Sequence, residues 1–178
     1  MPSRLVLVSG PSRGGKSRWA EHLLAGASSV TYLATSGDRP DDLEWQRRLD
    51  LHRSRRPAHW RLVETGAELT RALQTVPSHS SVLIDALGGF VAWHLDSSED
   101  EWQHTCTALI KQLQTMAQIC VLVIEETGWG VVPPTRLGGL FRDRLGTLAQ
   151  QLEQHSQASW LVLQGRALDL HAISQRIP

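Results

Sequence analysis

The chain has 178 residues, long enough to bury roughly 70% of its unfolded surface in one core without disulfide staples. Eighteen Lys and Arg balance eighteen Asp and Glu, so nothing global selects a nucleic acid or an anionic surface, and any electrostatic function must be local. Cys106 and Cys120 lie in apolar stretches without Cys-x-x-Cys spacing, which argues against a disulfide framework or zinc site and for a cytoplasmic location, and no apolar run nears the ~20 residues of a membrane span.

In chain order, residues 4–8 read as a first strand, followed by a Gly-rich loop and a helix over 17–25 that stops at Gly26, a suitable C-terminal cap residue. A second strand is predicted over 30–34, then a helix over 41–51 that turns strongly basic and ends before Pro57. Strands follow over 81–85, 119–125 and 159–164. Between them Trp102, Cys106, Leu109, Leu113 and Met116 repeat at helical spacing, as do Leu137, Phe141, Leu145, Leu148 and Leu152. The strand runs are continuously apolar rather than alternating, so helices should cover both faces. The expectation is a three-layer α/β fold with a mostly parallel sheet, forming a single domain over residues 1–178.

The sharpest chemical signal is Gly10-Pro11-Ser12-Arg13-Gly14-Gly15-Lys16-Ser17, which satisfies G-x-x-x-x-G-K-[ST] between a strand and a helix. Glycines let the loop curl so that its N–H groups face phosphate oxygens, and the helix presents its positive end to the same anion. Lys16 then reaches the β and γ phosphates as a point charge, and Ser17 ligates Mg²⁺. Lysine is scarce, since sixteen of the eighteen basic residues are arginine and only Lys16 and Lys111 are lysine, so its place in this loop is informative. A second acid for the metal is expected at the end of a neighbouring strand, where Asp85 and the pair Glu125-Glu126 are the candidates.

A third feature is the basic strip Arg47, Arg48, His52, Arg53, Arg55, Arg56, His59 and Arg61, with Asp50 as its one acid. It fits a solvated face, a nucleic-acid patch or a polyphosphate clamp around a reactive histidine. The neutral chain, with Trp45 and Trp60 only at the edges of the strip, ranks nucleic acid last. Surrounding cations disfavour an imidazolium at His52 and so favour the neutral, nucleophilic ring.

Together these residues resemble the adenosylcobinamide kinase/adenosylcobinamide-phosphate guanylyltransferase family of cobalamin (vitamin B12) assembly, over nearly the whole chain. The resemblance rests on the Gly10–Ser17 loop with Trp19-Ala20-Glu21, on Tyr32-Leu33-Ala34-Thr35, and on His52-Arg53-x-x-Arg56-Pro57-Ala58-His59-Trp60 leading to Glu64. It continues in Val82-Leu83-Ile84-Asp85, in Glu126-Thr127-Gly128-Trp129-Gly130-Val131-Val132-Pro133, and in Leu140-Phe141-Arg142-Asp143 with Gly146. It implies a RecA-like P-loop NTPase fold, commonly a homotrimer. It also implies two reactions: phosphorylation of adenosylcobinamide with ATP or GTP, then transfer of GMP from GTP to the product phosphate through a guanylylated histidine. The matching histidine is His52. Arg53, Ser54, Arg55 and Arg56 are implied to flank the polyphosphate. Glu64 and Asp85 match nucleotide contacts, Ala34, Thr35 and Ser36 border the site, and Lys16 with Mg²⁺, held by Ser17 and Asp85, stabilises the leaving group.

The sequence departs from the family pattern at Leu51, where a second histidine is often found, and at Gly88, Trp93, Glu125 and Ala149, where other polar groups are usual. Alternatives are therefore an enzyme keeping only one half-reaction, or a P-loop module that uses NTP to grip nucleic acid or a protein partner through the basic strip. Trp129, between two glycines, is a candidate lid residue.

Overall fold

A computed structural model of the chain describes residues 4–37 and 40–177; the side chains of Trp45 and Arg48 also lie outside the described set. Strands β1 (Leu5–Gly10), β2 (Val30–Ala34), β3 (Arg61–Glu64), β4 (Ser81–Asp85), β5 (Cys120–Glu125), β6 (Ser156–Leu163) and β7 (Arg166–Asp169) form one sheet. Its order is β3-β2-β4-β5-β1-β6-β7. Every neighbouring pair is parallel except β6 with β7. The helices are α1 (Lys16–Leu23), α2 (Leu43–Arg55), α3 (Leu69–Gln74), α4 (Leu87–Trp93), α5 (Glu99–Thr115), α6 (Arg136–Glu153) and α7 (Leu170–Ile173).

The two-residue period of a strand explains how continuously apolar runs serve two cores. Leu5, Leu7, Val82, Ile84, Cys120, Leu122 and Ile124 face a cluster built with Leu69 of α3, Phe90 of α4, Trp102 and Leu109 of α5, and Leu148 of α6. Val6, Val8, Leu83, Val121 and Val123 face the opposite cluster, which holds Ala20 of α1 and Tyr32 of β2. Carried to the C-terminal edge of the sheet, the same parity puts Tyr32, Asp85 and Glu125 on the α1 face, above the apolar layer and beside the loop that enters α1.

Helix α5 opens with a reciprocal cap, in which the Ser98 hydroxyl accepts from Glu101 N–H and the Glu101 side chain accepts from Ser98 N–H. Arg144 of α6 is buried and clamps the connection before α5, donating to the carbonyls of His94 at 2.7 Å and Ser97 at 2.9 Å while its guanidinium lies over Trp102.

Several boundaries differ from the sequence expectation. Helix α1 ends at Leu23 with Leu24 as its cap, and Gly26 does not take the left-handed conformation anticipated for it. Helix α2 continues through the basic strip to Arg55. Leu137, expected on the buried stripe of α6, is 52% exposed and lies in the first turn of that helix, whose buried residues begin only at Arg144. Strand β3 has no apolar run because it is an edge strand with three of four residues exposed. Strand β7 returns from β6 through Gln164 and Gly165, both at positive φ as a two-residue hairpin turn requires.

Candidate active site

The Gly-rich loop is moulded against the sheet. A Cβ on Gly10, whose φ is +149°, would stand 2.1 Å from the Val162 carbonyl oxygen, and one on Gly14 2.8 Å from the same atom. The backbone of β6 therefore excludes side chains at both positions. Lys16 Nζ donates to the Pro11 carbonyl at 2.7 Å, closing the loop, and Gly165 N–H donates to the Gly14 carbonyl at 3.0 Å. Arg13 points outward and pairs with Glu44 of α2 at 3.1 Å, with both side chains exposed.

Beside the loop opens a cavity of about 410 Å³. Lys16 and Ser17 line it from α1, Tyr32, Ala34, Ser36 and Gly37 from β2 and the residues after it, and Leu49, His52, Arg53 and Arg56 from α2 and its end. Leu62 and Glu64 of β3, Asp85 and Ala86 at the end of β4, and Val123 and Glu125 of β5 complete the lining. The Gly-rich loop's Lys16 and Ser17, the candidate nucleophile, two arginines of the strip, Glu64 and Asp85 thus meet in one space, although they come from four different elements and their ends.

A chain of polar contacts crosses this space. The Tyr32 hydroxyl donates to Asp85 Oδ2 at 2.7 Å, and the same oxygen lies 3.6 Å from His52 Nδ1. Arg55 approaches Nδ1 at 3.4 Å with its terminal nitrogen and pairs through Nε with Glu21 of α1 at 3.5 Å. The Arg56 guanidinium sits 5.3 Å from the Tyr32 ring centre. Among the described residues His52 therefore faces a carboxylate as well as a cation, not the purely cationic surroundings that the strip alone suggests. Burial raises the Tyr32 hydroxyl's pKa, and the charge of Asp85 raises it further, so Tyr32 stays a donor. Burial also raises the Glu21 carboxyl, against the opposing effect of Arg55.

Other expected residues stand at the border. Thr35 is fully buried, its hydroxyl donates to the Ala86 carbonyl, and its own carbonyl accepts from Trp93 Nε1 at 2.9 Å. Arg55 is turned toward Glu21 and does not line the cavity, and exposed Ser54 donates to the Leu51 carbonyl at 3.0 Å. Trp129 is 61% exposed and also stands outside the lining.

Of the strand-end acids, both Asp85 and Glu125 reach the cavity. Glu126 instead accepts from Gly128 N–H at 2.5 Å in the following loop. Burial raises the Glu125 carboxyl, the Gly88 N–H at 2.8 Å counters this, and Asp85 adds a further upward push. Among the described residues no three His, Cys, Asp or Glu converge as a metal cage. Ser17 and Asp85 offer an oxygen pair of the kind that suits Mg²⁺, which takes its remaining ligands from phosphates and water.

Sequence reasoning gave no role to Tyr32 of β2 or to Glu21 of α1. The signal for Tyr32 was available, since the one tyrosine of the chain lies inside a fully buried run and its hydroxyl needs a partner there.

Comparison with known proteins gives the family and the fold. A model of the family described as cobinamide kinase / cobinamide phosphate guanyltransferase matches residues 6–170. The bifunctional adenosylcobalamin biosynthesis protein CobU of Escherichia coli is 35% identical over 176 residues, spanning 90% of this chain and 96% of that protein. CobU of Salmonella typhimurium is 32% identical with the same coverage, and CobP of Pseudomonas aeruginosa 32% identical over 92% of this chain and 95% of its own. Among solved structures, an ATPase of a type III secretion system superposes with a TM-score of 0.60 at 13% identity, covering 97% of this chain and 58% of that one. A KaiC-like protein of Pyrococcus horikoshii gives 0.51 at 16% identity, covering 90% and 72%. These two likenesses show the fold, an α/β architecture with a mostly parallel sheet.

Proposed function

The chain belongs to the cobinamide kinase/cobinamide phosphate guanyltransferase family, and from that premise we propose that the cavity beside the Gly-rich loop serves two successive transfers. In the first, the γ-phosphoryl group of ATP or GTP passes to the aminopropanol hydroxyl of adenosylcobinamide. In the second, His52 attacks the α-phosphorus of GTP, pyrophosphate leaves, and the resulting guanylyl-histidine gives its GMP to adenosylcobinamide phosphate, yielding adenosylcobinamide-GDP. The observation that carries this reading is the convergence of His52 with Lys16 and Ser17 on one cavity.

The roles follow from chemistry. In this reading Nδ1 carries its proton toward Asp85 rather than accepting from Arg55, which leaves the lone pair on Nε2 for the attack and makes Asp85 the group that sets the ring's tautomer. Tyr32 holds that carboxylate through its hydrogen bond. Arg53 and Arg56 neutralise the polyphosphate, Lys16 and the loop N–H groups hold its β and γ phosphates, and Glu64 with Ala34, Thr35 and Ser36 shapes the nucleotide end. Mg²⁺, when bound through Ser17 and Asp85, supplies charge neutralisation at the phosphates.

The assembly we propose is a homotrimer, supported by the exposed apolar run of Trp129, Val131, Val132 and Leu137 at the start of α6. Light scattering should give three chains per particle, and a monomer would overturn that assignment. The function itself is tested by incubating the protein with adenosylcobinamide, ATP, GTP and Mg²⁺ and following corrinoids by mass spectrometry. The phosphate should appear first and the GDP adduct second; no phosphorylated corrinoid, with nucleotide binding verified, would overturn the reading.

A further inference from the structure

The proposed function gives the carboxylate of Glu125 no role, yet its placement is specific. It ends β5, directly opposite Gly10 in the β1–β5 register, and the next residue's N–H donates to the Gly10 carbonyl at 2.8 Å. Strand β5 therefore delivers Glu125 to the first residue of the phosphate-binding loop, and its side chain lines the cavity together with Lys16 and Ser17.

The carboxylate is also held. Gly88 N–H donates to Oε2 at 2.8 Å, and the three atoms nearest to a Cβ built on Gly88 are Oε2, Cδ and Oε1 of Glu125, at 2.7, 2.9 and 3.0 Å. The missing side chain at position 88 makes the room that Glu125 occupies. Among the described residues no cation pairs with Glu125 within 4.0 Å, so the group is a mostly buried carboxylate satisfied by backbone N–H and open to the cavity. A merely structural acceptor for one N–H does not require a charge that is costly to bury. Burial, against the opposing pull of backbone N–H donors and with Asp85 and Lys16 acting in opposite senses, raises this carboxyl and makes it a stronger base than a solvated glutamate.

We propose that Glu125 is the proton acceptor of the kinase half-reaction. As the substrate hydroxyl oxygen forms its bond to the γ-phosphorus, its proton passes to a carboxylate oxygen of Glu125. The bond from the γ-phosphorus to the β–γ bridging oxygen breaks with its electron pair, the nucleoside diphosphate leaves, and Glu125 releases the proton to water after product departs. The inference rests on the two-transfer reading and divides its labour. A neutral imidazole nitrogen carries no proton where it attacks, and a phosphate oxyanion carries none either, so guanylylation of His52 and onward transfer of GMP need no such acceptor.

The test is Glu125→Gln, which keeps an oxygen for Gly88 N–H and removes only the base. Single-turnover phosphorylation of adenosylcobinamide should slow by about 100-fold or more with the ATP KM little changed. Formation of guanylyl-His52 from GTP, and GMP transfer to separately prepared adenosylcobinamide phosphate, should stay within about threefold of wild type. An unchanged kinase rate, a parallel fall in both half-reactions, or a kinase loss restored by higher Mg²⁺ would each overturn the assignment, the last by making Glu125 a metal ligand. A wild-type protein without kinase activity would instead overturn the two-transfer reading itself, and this inference with it. If Glu125→Gln does not fold, Glu125→Ala supplied with formate should recover kinase rate, and failure to do so would count against the role.

Discussion

Replacing Gly88 by alanine probes the contact that holds Glu125 in place. The new Cβ would stand 2.7 Å from Oε2, and ordinary contact begins at 3.4 Å. The nearest atoms all belong to one side chain, so the carboxylate has to retreat and its hydrogen bond to Gly88 N–H stretches or breaks. Overpacking costs about 1–3 kcal/mol. Loss of a hydrogen bond to a charged acceptor costs about 1.5–3 kcal/mol. The Gly to Ala change in a helix returns about 1 kcal/mol. The net expectation is a loss of about 1.5–5 kcal/mol, which in a chain of this length lowers Tm by roughly 3–20 °C. Urea unfolding of Gly88→Ala in the wild-type and Glu125→Ala backgrounds checks this as a double-mutant cycle. With Glu125 truncated, the same substitution should be neutral or stabilising by up to about 1 kcal/mol. An equal loss in both backgrounds would show that the strain lies elsewhere and refute the packing argument.

Two further expectations follow from buried groups. Arg144→Met removes the donors to the His94 and Ser97 carbonyls while keeping most of the side-chain volume, and should cost about 3 kcal/mol in urea unfolding. Burial pushes the thiols of Cys106 and Cys120 up to about 12 from an ordinary value of 9.0. Neither should react with Ellman's reagent at pH 8 in the native protein. The folded state holds these protons more tightly, so their contribution to stability is complete below pH 9.0 and is lost as pH rises toward about 12. Unfolding midpoints measured between pH 8 and 11 should therefore fall more steeply for wild type than for a Cys106→Ala, Cys120→Ala variant.

The P-loop could be read directly because its chemistry requires particular residues at fixed spacing, and the five central strands could be read because burial on both faces demands unbroken apolar runs. Strand β3 was invisible for the opposite reason: as an edge strand it exposes Arg61, Leu62 and Glu64 and carries no pattern. Helix α4 hides behind Gly88 and Gly89, residues that local propensity counts against a helix and that close approach requires here, since a Cβ on Gly89 would stand 2.4 Å from Thr35 Oγ1.

What no local signal contains is sheet order. Asp85 and Glu125 look alike in sequence, each an acid closing an apolar strand. Only the insertion of β5 between β1 and β4 makes Glu125 the neighbour of Gly10 and leaves Asp85 within reach of His52. The ring contact itself depends on how α2 crosses the end of the sheet, and the two residues lie far apart in the chain. Composition had suggested only cations around His52, since the carboxylate that faces it arrives from β4.

The central claim is that His52 is the covalent nucleophile, and the most direct test is the intact mass of the protein after incubation with GTP and Mg²⁺ in the absence of any acceptor. Wild type should gain one guanylyl group and His52→Ala none, with GTP binding retained in both. An adduct of equal yield on His52→Ala, or none on wild type that demonstrably binds GTP, would contradict the account.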